Sequence, residues 1–442
     1  MNAMEAGFRP HVSAKVETCF ARHVSQIMVA FSHFTFCSSL FLLFTLCSSL
    51  FTVSAQVKTG ADLLFSKSSH LIEGKRVGLV TNHTGLLLDG THLADALHRN
   101  RTTRLVALFG PEHGIRGDVD GELRDTVDEA TGVPVYSLYG RAYKPSPAML
   151  RDIDLLLFDI QDIGARFYTY VSTLSYSMEA AAEAGIPFVV LDRPNPVRGT
   201  AVAGFVLEDS LGSFVGLHRI PIVHGMTVGE LALLFNNEGW LANGVKARLT
   251  VVPMEGWKRT MWYDETGLPW IAPSPNMKSL STAIVYPGMC LVEGTNVSEG
   301  RGTSSPFETI GAPFVNGELF ARELNGAHLP GVAFEPIRFT PTADRRTAPR
   351  PKHSGVVCSG VFVRVVDRES YDAIRAGIFV LSTLRRLYPG DFKWSVPRID
   401  RLAGTRKLRE KIDAGVSPEA IMRDADNEID RFSLLRRKYL LY

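Results

Sequence analysis

The stretch Asp154–Ile160 reads DLLLFDI, an apolar run that is long enough to form one buried β-strand. Similar runs occur at three other places, namely Lys75–Thr81, Leu105–Phe109 and Phe188–Leu191. Helix-like segments lie between these runs, at Thr91–Arg99 and Tyr170–Ala184. Continuous apolar strands that alternate with helices are typical of a parallel sheet covered by helices on both faces. The sequence therefore predicts an α/β fold for this part of the chain.

The second half of the chain shows a different pattern. Strand-like runs at Met289–Glu293 and Gly360–Val366 are followed by a helical segment at Ser370–Leu387, and the Ser-Pro-Glu sequence of Ser417–Glu419 marks the start of another helix. Between the halves, the stretch Trp257–Met277 is rich in Pro, Gly and Trp and predicts a long ordered loop. We expect a smaller α+β domain after this loop, because 442 residues exceed what one hydrophobic core usually serves.

The pattern of the N-terminal region predicts a secretory signal. Residues 34–53 hold no charged side chain and are followed by Ser54-Ala55 and then Gln56. A short apolar run that ends in small residues is typical of a secretory signal, which predicts cleavage after Ala55 and removal of residues 1–55. A membrane anchor is the alternative, since the run is nearly long enough to span a bilayer. With the signal cleaved, we expect an exported protein, periplasmic or extracellular, without stable membrane association.

Charge, cysteine content and missing motifs exclude several classes of protein. The formal net charge is +2 without a concentrated basic run, which argues against a nucleic-acid partner. The basic segments Arg401–Lys411 and Arg431–Lys438 have acidic neighbours and are typical of solvated helix faces. Outside the N-terminal region only Cys290 and Cys358 occur, which allows one disulfide or two buried thiols but no zinc ribbon. The usual dinucleotide, P-loop, zincin and α/β-hydrolase motifs are absent from the sequence, so we expect no cofactor.

Polar side chains follow each of the four predicted strands. They are Asn82-His83, Glu112-His113, the group Asp159, Gln161 and Asp162, and Asp192-Arg193. Ligands bind beyond the carboxyl ends of the strands in open parallel sheets. Because four such ends meet at one edge of the sheet, the sequence predicts a binding or catalytic site there.

The residue types at this edge suit the cleavage of a glycosidic bond. In that reaction one acid protonates the leaving oxygen while a second carboxylate supports an oxocarbenium-like transition state. Glu112, in the G-P-E-H-G turn, is the candidate acid, and a turn-stabilising role is the alternative reading of this residue. The same residue types also suit a metal-dependent hydrolase that uses His83, Asp159 and His224. A binding protein without turnover is a third alternative.

Several long motifs, in this order, carry a resemblance to a known family. They are VGLVTNHTG, LFGPEHGIRG, LLFDIQDIGARFYTY, LDRPNP, IPIVHGMTVGELA, DETGLPW, PSPNM and EGTNVSEGRGT. Together they resemble the bacterial exo-β-N-acetylmuramidases of the NamZ type, a family long described only as a domain of unknown function. The resemblance spans about residues 74–442.

The resemblance implies an architecture and an activity. Residues 56–277 would form a Rossmann-like catalytic domain, and residues 278–442 an α+β domain that completes the cleft. The activity implied is the release of N-acetylmuramic acid from the non-reducing ends of peptidoglycan fragments, so a peptidoglycan-derived sugar or muropeptide is the expected partner. A muropeptide-binding protein without catalysis is the alternative.

The resemblance also implies roles for residues at matching motif positions. The candidate catalytic residues are Glu112, His113, Asp159, Asp162, Glu293 and Glu299. Glu112 is the acid/base candidate, His113 is open between catalysis and support, and the second carboxylate is open among the other four. The candidate substrate-binding residues are Asn82, His83, Arg166, Tyr168, His224, Asn276, Asn296 and Arg301. Because the lactyl ether of N-acetylmuramic acid carries a carboxylate, Arg166 and Arg301 are the cations expected to bind it. We expect no metal.

Overall fold

A seven-stranded sheet organises the first half of the protein in this computed structural model, which describes residues 56–117 and 125–442. The strands of this half are β1 (Arg76–Thr81), β2 (Arg104–Gly110), β3 (Thr126–Val127), β4 (Pro134–Ser137), β5 (Leu155–Asp159), β6 (Phe188–Leu191), β7 (Ala203–Val206), β8 (Pro221–Val223) and β9 (Leu249–Val252). The sheet has the order β3-β4-β2-β1-β5-β6-β9, while β7 and β8 form a separate antiparallel pair. In the main sheet only the short β3 runs antiparallel to its neighbour.

Helices cover both faces of this sheet because its strands are apolar on both faces. Along β5, Leu156 and Phe158 contribute to one buried core, whereas Leu155 and Leu157 contribute to a second core on the opposite face. The α-helices of this half are Gly60–Lys67, Leu93–Arg99, Pro147–Leu150, Tyr170–Ala184 and Val228–Asn237. The predicted α/β class is thus confirmed, and the parallel pairing of β2, β1, β5 and β6 brings their carboxyl ends to one edge.

The second half contains a small antiparallel sheet packed with helices, as the α+β prediction requires. Its strands are β10 (Thr309–Ala312), β11 (Val332–Phe339) and β12 (Cys358–Val365), in the order β10-β12-β11. Its α-helices are Leu280–Met289, Gly317–Gly326, Ala373–Leu387, Val396–Ala403, Lys407–Asp413 and Pro418–Arg436. The short 3-10 helices of the described chain are Ser69–Leu71, Asp209–Leu211, Ala242–Gly244, Tyr263–Thr266, Cys290–Gly294 and Arg437–Tyr439.

One element prediction in this half is wrong. Residues Met289–Glu293 do not form a strand, because the helix Leu280–Met289 continues there into the 3-10 helix Cys290–Gly294. A short and fully buried apolar run has no polar face to show its period, so the sequence does not distinguish the two structures. The helix crosses Ala373–Leu387 so closely that a Cβ atom on Gly288 would lie 1.8 Å from the Ala373 carbonyl oxygen.

The two halves share their packing. Residues 55–442 form one compact unit, and a single buried core includes Phe158 and Phe235 of the first half with Val285 and Leu381 of the second. The boundary between residues 277 and 278 stays a prediction, and the signal segment 1–55 lies outside the described residues. Cys290 and Cys358 are both free and buried, so the disulfide alternative is wrong. No helix within residues 56–117 and 125–442 is long and apolar enough to cross a membrane.

Candidate active site

A cavity of about 430 Å³ lies at the carboxyl edge of the sheet, where the two halves meet. The first half contributes Glu112 and His113 from the turn after β2, and Tyr168 and Thr169 from the segment that leads into the helix Tyr170–Ala184. The second half contributes Tyr286, Cys290, Glu293, Arg301, Arg398 and Arg401, among others. The edge predicted from the strand ends is therefore one wall of a cavity, and the other wall comes from the second half of the chain.

The G-P-E-H-G turn projects Glu112 into this cavity. The turn is closed by a hydrogen bond in which the Gly114 amide donates to the Pro111 carbonyl at 3.0 Å. His113 adopts a left-handed conformation with φ of 72°, which is uncommon and strained for a residue with a Cβ atom. The hydroxyl of Thr169 donates to Oε2 of Glu112 at 3.1 Å. The Thr169 hydrogen bond thus holds the half-buried Glu112 carboxyl at the cavity wall.

Aromatic rings form the apolar part of the wall. Tyr168 packs edge-on against Tyr170, with ring centroids 5.0 Å apart, and against Tyr286, with centroids 5.9 Å apart. Burial raises the pKa of Tyr168 well above its ordinary value, so its hydroxyl stays protonated and can donate a hydrogen bond. The Tyr170 hydroxyl donates to the Pro273 carbonyl at 2.6 Å, which holds the 257–277 loop beside the cavity.

Glu293 is a buried carboxylate held by two arginines. Arg301 donates to Oε1 from Nε at 3.1 Å and from Nη2 at 3.0 Å, and Arg398 donates to Oε2 at 2.7 Å. Burial alone would raise the pKa of Glu293, but the Arg301 and Arg398 charges hold that pKa below its usual value. Glu293 is therefore ionised at neutral pH, and both of its oxygens already accept hydrogen bonds.

Glu299 lies behind this cluster, in an adjoining pocket of about 240 Å³ that also borders Glu293, Arg301 and Arg398. Its carboxylate pairs with Lys352 at 3.0 Å and lies 3.8 Å from Nε of Arg301. Lys352 also donates to the carbonyls of Val292, Glu293 and Val297. Glu299 is thus part of the charged network that supports the cavity, and does not line the cavity that holds Glu112.

Asp159 does not lie in the cavity, so the structure corrects its candidacy as the second carboxylate. It is fully buried and forms a bidentate ion pair with Arg193, with Nε to Oδ1 at 2.5 Å and Nη2 to Oδ2 at 2.9 Å. This pair joins the ends of β5 and β6, because Arg193 follows β6 in the chain. Asp159 is a structural residue of the sheet edge.

Arg166 is likewise not the cation expected to bind the substrate carboxylate. Its side chain is buried and donates to three main-chain carbonyls, those of Phe205 at 2.7 Å, Ile220 at 3.0 Å and Leu402 at 2.8 Å. Burial without a carboxylate partner lowers the pKa of Arg166 to about 9. The Arg166 guanidinium joins the two halves of the protein through the Leu402 carbonyl and does not line the cavity.

His83, His224 and Asp162 lie in loops beside the cavity and do not line it. The Gly164 amide donates to Oδ2 of Asp162 at 2.7 Å, and Nε2 of the buried His224 lies 3.7 Å from the same oxygen. His83 bonds the Ala272 carbonyl at 2.7 Å. Among the described residues no three His, Cys, Asp or Glu side chains are grouped as metal ligands, and His83, Asp159 and His224 each have separate partners. The trio required by the metal-dependent alternative is not brought together.

The three candidate asparagines hold backbone segments in place. Oδ1 of Asn82 accepts hydrogen bonds from the amide and hydroxyl of Thr84, and Asn276 donates to the Thr347 carbonyl at 2.5 Å. Asn296 donates to the Asp391 carbonyl and accepts from the Lys393 amide, both at 2.8 Å. The side chains of all three are engaged by protein atoms, and none lines the cavity.

The sequence analysis missed several residues of the cavity wall. Thr169 could have been predicted from the sequence, because it follows the candidate Tyr168 in the R-F-Y-T-Y motif. Nothing in the sequence indicates Arg398, since only the folded chain brings the helix Val396–Ala403 to the sheet edge. Arg401 lies in a basic segment that predicts a solvated helix face, and it is indeed exposed on a helix. What the sequence does not indicate is that this exposed side chain also lines the cavity.

Comparisons with known proteins agree along the described chain. Family models described as "Exo-beta-N-acetylmuramidase NamZ", N-terminal and C-terminal, match residues 77–281 and 284–442. A protein of Bacillus subtilis (strain 168) named "Peptidoglycan beta-N-acetylmuramidase NamZ" is 49% identical over 390 residues, which cover 88% of this chain and 92% of the relative.

Two crystal structures of DUF1343 family proteins from Bacteroides fragilis NCTC 9343 have the same fold. The first has a TM-score of 0.81 at 39% identity, and the second a TM-score of 0.74 at 34% identity. Each alignment covers 88% of this chain and 99% of the crystallised chain. The similarity therefore extends over both halves and includes the elements that form the cavity.

Proposed function

The chain belongs to the exo-β-N-acetylmuramidase NamZ family, and from that premise we propose that it releases N-acetylmuramic acid from the non-reducing ends of peptidoglycan fragments. It is a glycosidase that acts on peptidoglycan. One observation supports the proposed chemistry above the others. Glu112, a half-buried residue at the carboxyl end of a parallel strand, lies in a cavity with aromatic and cationic walls.

Glu112 is the proton donor of the proposed reaction. A general acid must reach the leaving oxygen of the glycosidic bond within hydrogen-bond distance, and the cavity position of Glu112 provides that access. The Thr169 hydroxyl holds Oε2, while the described residues make no hydrogen bond to Oε1. One oxygen of the carboxyl is thus oriented by the protein and the other is available to the substrate.

Glu293 is the carboxylate partner of Glu112 in this proposal. Of the four candidates for the second carboxylate, it is the one that lines the same cavity. The arginines that keep it ionised make it unsuitable as a proton donor. They suit it to a fixed negative charge near a positively charged transition state, which is the role of the second carboxylate in glycoside hydrolysis.

The proposed location follows from the substrate. The charge-free segment 34–53 with its Ser54-Ala55 ending supports export, and peptidoglycan lies outside the cytoplasmic membrane. We therefore propose that the mature enzyme begins at Gln56 and acts in the periplasm or outside the cell.

The test is the release of a chromophore from an aryl β-N-acetylmuramide. The wild-type protein should release it. On an N-acetylmuramyl disaccharide, whose sugar leaving group needs a proton, Glu112→Gln should lower kcat by roughly 10²- to 10⁴-fold, because proton transfer to the leaving group is lost while the shape is kept. The control is Glu129→Gln, since Glu129 is exposed and does not line the cavity. Wild-type binding without product would favour the binding-protein alternative, and full activity in Glu112→Gln would exclude Glu112 as the acid.

A further inference from the structure

Among the described residues, three arginines line the active-site cavity, and they differ in how their charges are compensated. Arg301 and Arg398 both donate to Glu293, at distances between 2.7 and 3.1 Å. Removing either arginine from Glu293 would leave a buried carboxylate with an unpaired oxygen, which is costly in a protein interior. These two guanidinium groups are therefore committed to the protein.

Arg401 is the third arginine, and no side chain of residues 56–117 or 125–442 compensates its charge. It is exposed and lines the cavity, and the described residues form no hydrogen bond or ion pair with its side chain. The acid next to it in the chain, Asp400, is directed to Arg409, which donates to its two oxygens at 3.0 and 3.2 Å. Within the part of the chain that the structure describes, the Arg401 guanidinium is thus unpaired at the cavity that contains Glu112.

The backbone that carries Arg401 is held in place. Arg401 lies three residues after Arg398 on the helix Val396–Ala403, so both side chains lie on the same face of that helix. The carbonyl of the next residue, Leu402, accepts a hydrogen bond from the buried Arg166 at 2.8 Å. The end of the helix is therefore anchored to the first half of the protein, which fixes the origin of the Arg401 side chain relative to Glu112.

We propose that Arg401 binds the carboxylate of the substrate's lactyl ether and thereby selects N-acetylmuramic acid over N-acetylglucosamine. This proposal rests on the proposed function and names the recognition residue of that site. The two sugars differ only in the lactyl group, and a guanidinium binds a carboxylate through two parallel charge-assisted hydrogen bonds. Of the described arginines in the cavity, Arg401 is the one that can make these bonds without removing a hydrogen-bond donor from Glu293.

The test compares two substrates that share the same leaving group, an aryl β-N-acetylmuramide and its lactyl methyl ester. Wild-type enzyme should prefer the free acid. Arg401→Gln should lower kcat/KM for the acid by roughly 10- to 100-fold, mainly through KM, because a hydrogen-bonded ion pair is lost, and should leave the ester nearly unchanged. Arg401→Lys should recover part of the preference, since it restores the charge without the planar fork.

The matched control is Arg406→Gln, because Arg406 is also exposed but does not line the cavity. Circular dichroism of each variant verifies folding. If Arg401→Gln keeps the wild-type ratio of acid to ester, Arg401 does not bind the lactyl carboxylate. If the wild-type enzyme cleaves neither substrate, the proposed function itself is wrong, and that outcome is distinct from an altered ratio in an active enzyme.

Discussion

Replacing Asp159 by Asn tests whether this residue at the end of β5 serves structure or catalysis. Asp159 and Arg193 form a bidentate ion pair whose side chains are 0% and 6% exposed. Asn keeps the size of the side chain but removes its charge. The Arg193 guanidinium would then stay buried, with the Leu86 carbonyl as its remaining strong acceptor among the described residues.

The expected cost is large because a buried charge loses its partner. Breaking one side of a buried ion pair destabilises a protein by about 3–5 kcal/mol, a substantial part of a total stability of about 5–15 kcal/mol. The other end of the same strand provides a matched control. Asp154 pairs with Arg76 at 2.9 Å, but these side chains are 36% and 43% exposed, so Asp154→Asn should cost less than about 1 kcal/mol.

The assay is urea denaturation followed by tryptophan fluorescence, with activity on the aryl β-N-acetylmuramide measured under conditions where each variant is folded. Asp159→Asn should lower the free energy of unfolding and keep its activity per folded molecule. The double variant Asp159→Leu/Arg193→Met should recover stability, since no buried charge remains. A variant as stable as the wild type but at least about 100-fold less active would refute the reasoning, because it would identify Asp159 as a catalytic group.

Two further predictions concern a buried histidine and a helix crossing. Burial lowers the pKa of His218 to about 4, so the unfolded chain binds the proton first as pH falls. The stability contributed by neutral His218 is therefore present above pH 6.5 and lost towards pH 4, by up to about 3 kcal/mol. Urea unfolding at several pH values measures this loss, and the free energy of unfolding should depend less on pH in His218→Gln. A Cβ atom on Gly377 would lie 2.5 Å from the Gly288 carbonyl oxygen, so Gly377→Ala should lower the free energy of unfolding by about 1–3 kcal/mol or more. Gly326→Ala is the control, because Gly326 ends another helix and has open space around it. Equal melting temperatures of the two variants would contradict the close helix contact.

The sequence pattern was sufficient to predict the parallel sheet, because each buried strand can be recognised from a few consecutive apolar residues. Each run such as Asp154–Ile160 is apolar along its whole length, and each is separated from the next by a helical segment, so parallel pairing and coverage on both faces follow. The run Met289–Glu293 is also mostly apolar and fully buried, yet it continues the helix Leu280–Met289 into a 3-10 helix. Apolar composition predicts burial in both cases, but only the neighbouring elements decide the backbone conformation.

The sequence alone was enough to predict that the polar strand ends share one edge of the sheet and that Glu112 lies there, because the carboxyl ends of parallel strands meet at the same edge. The tertiary structure decided the roles of the other charged residues. Asp159 and Arg166 are committed to internal partners, and Glu293 is held by two arginines. Arg401 lines the cavity without a partner among the described residues. Whether a charged side chain binds a ligand depends on whether the fold already pairs it, and those pairings join residues up to 236 positions apart in the chain.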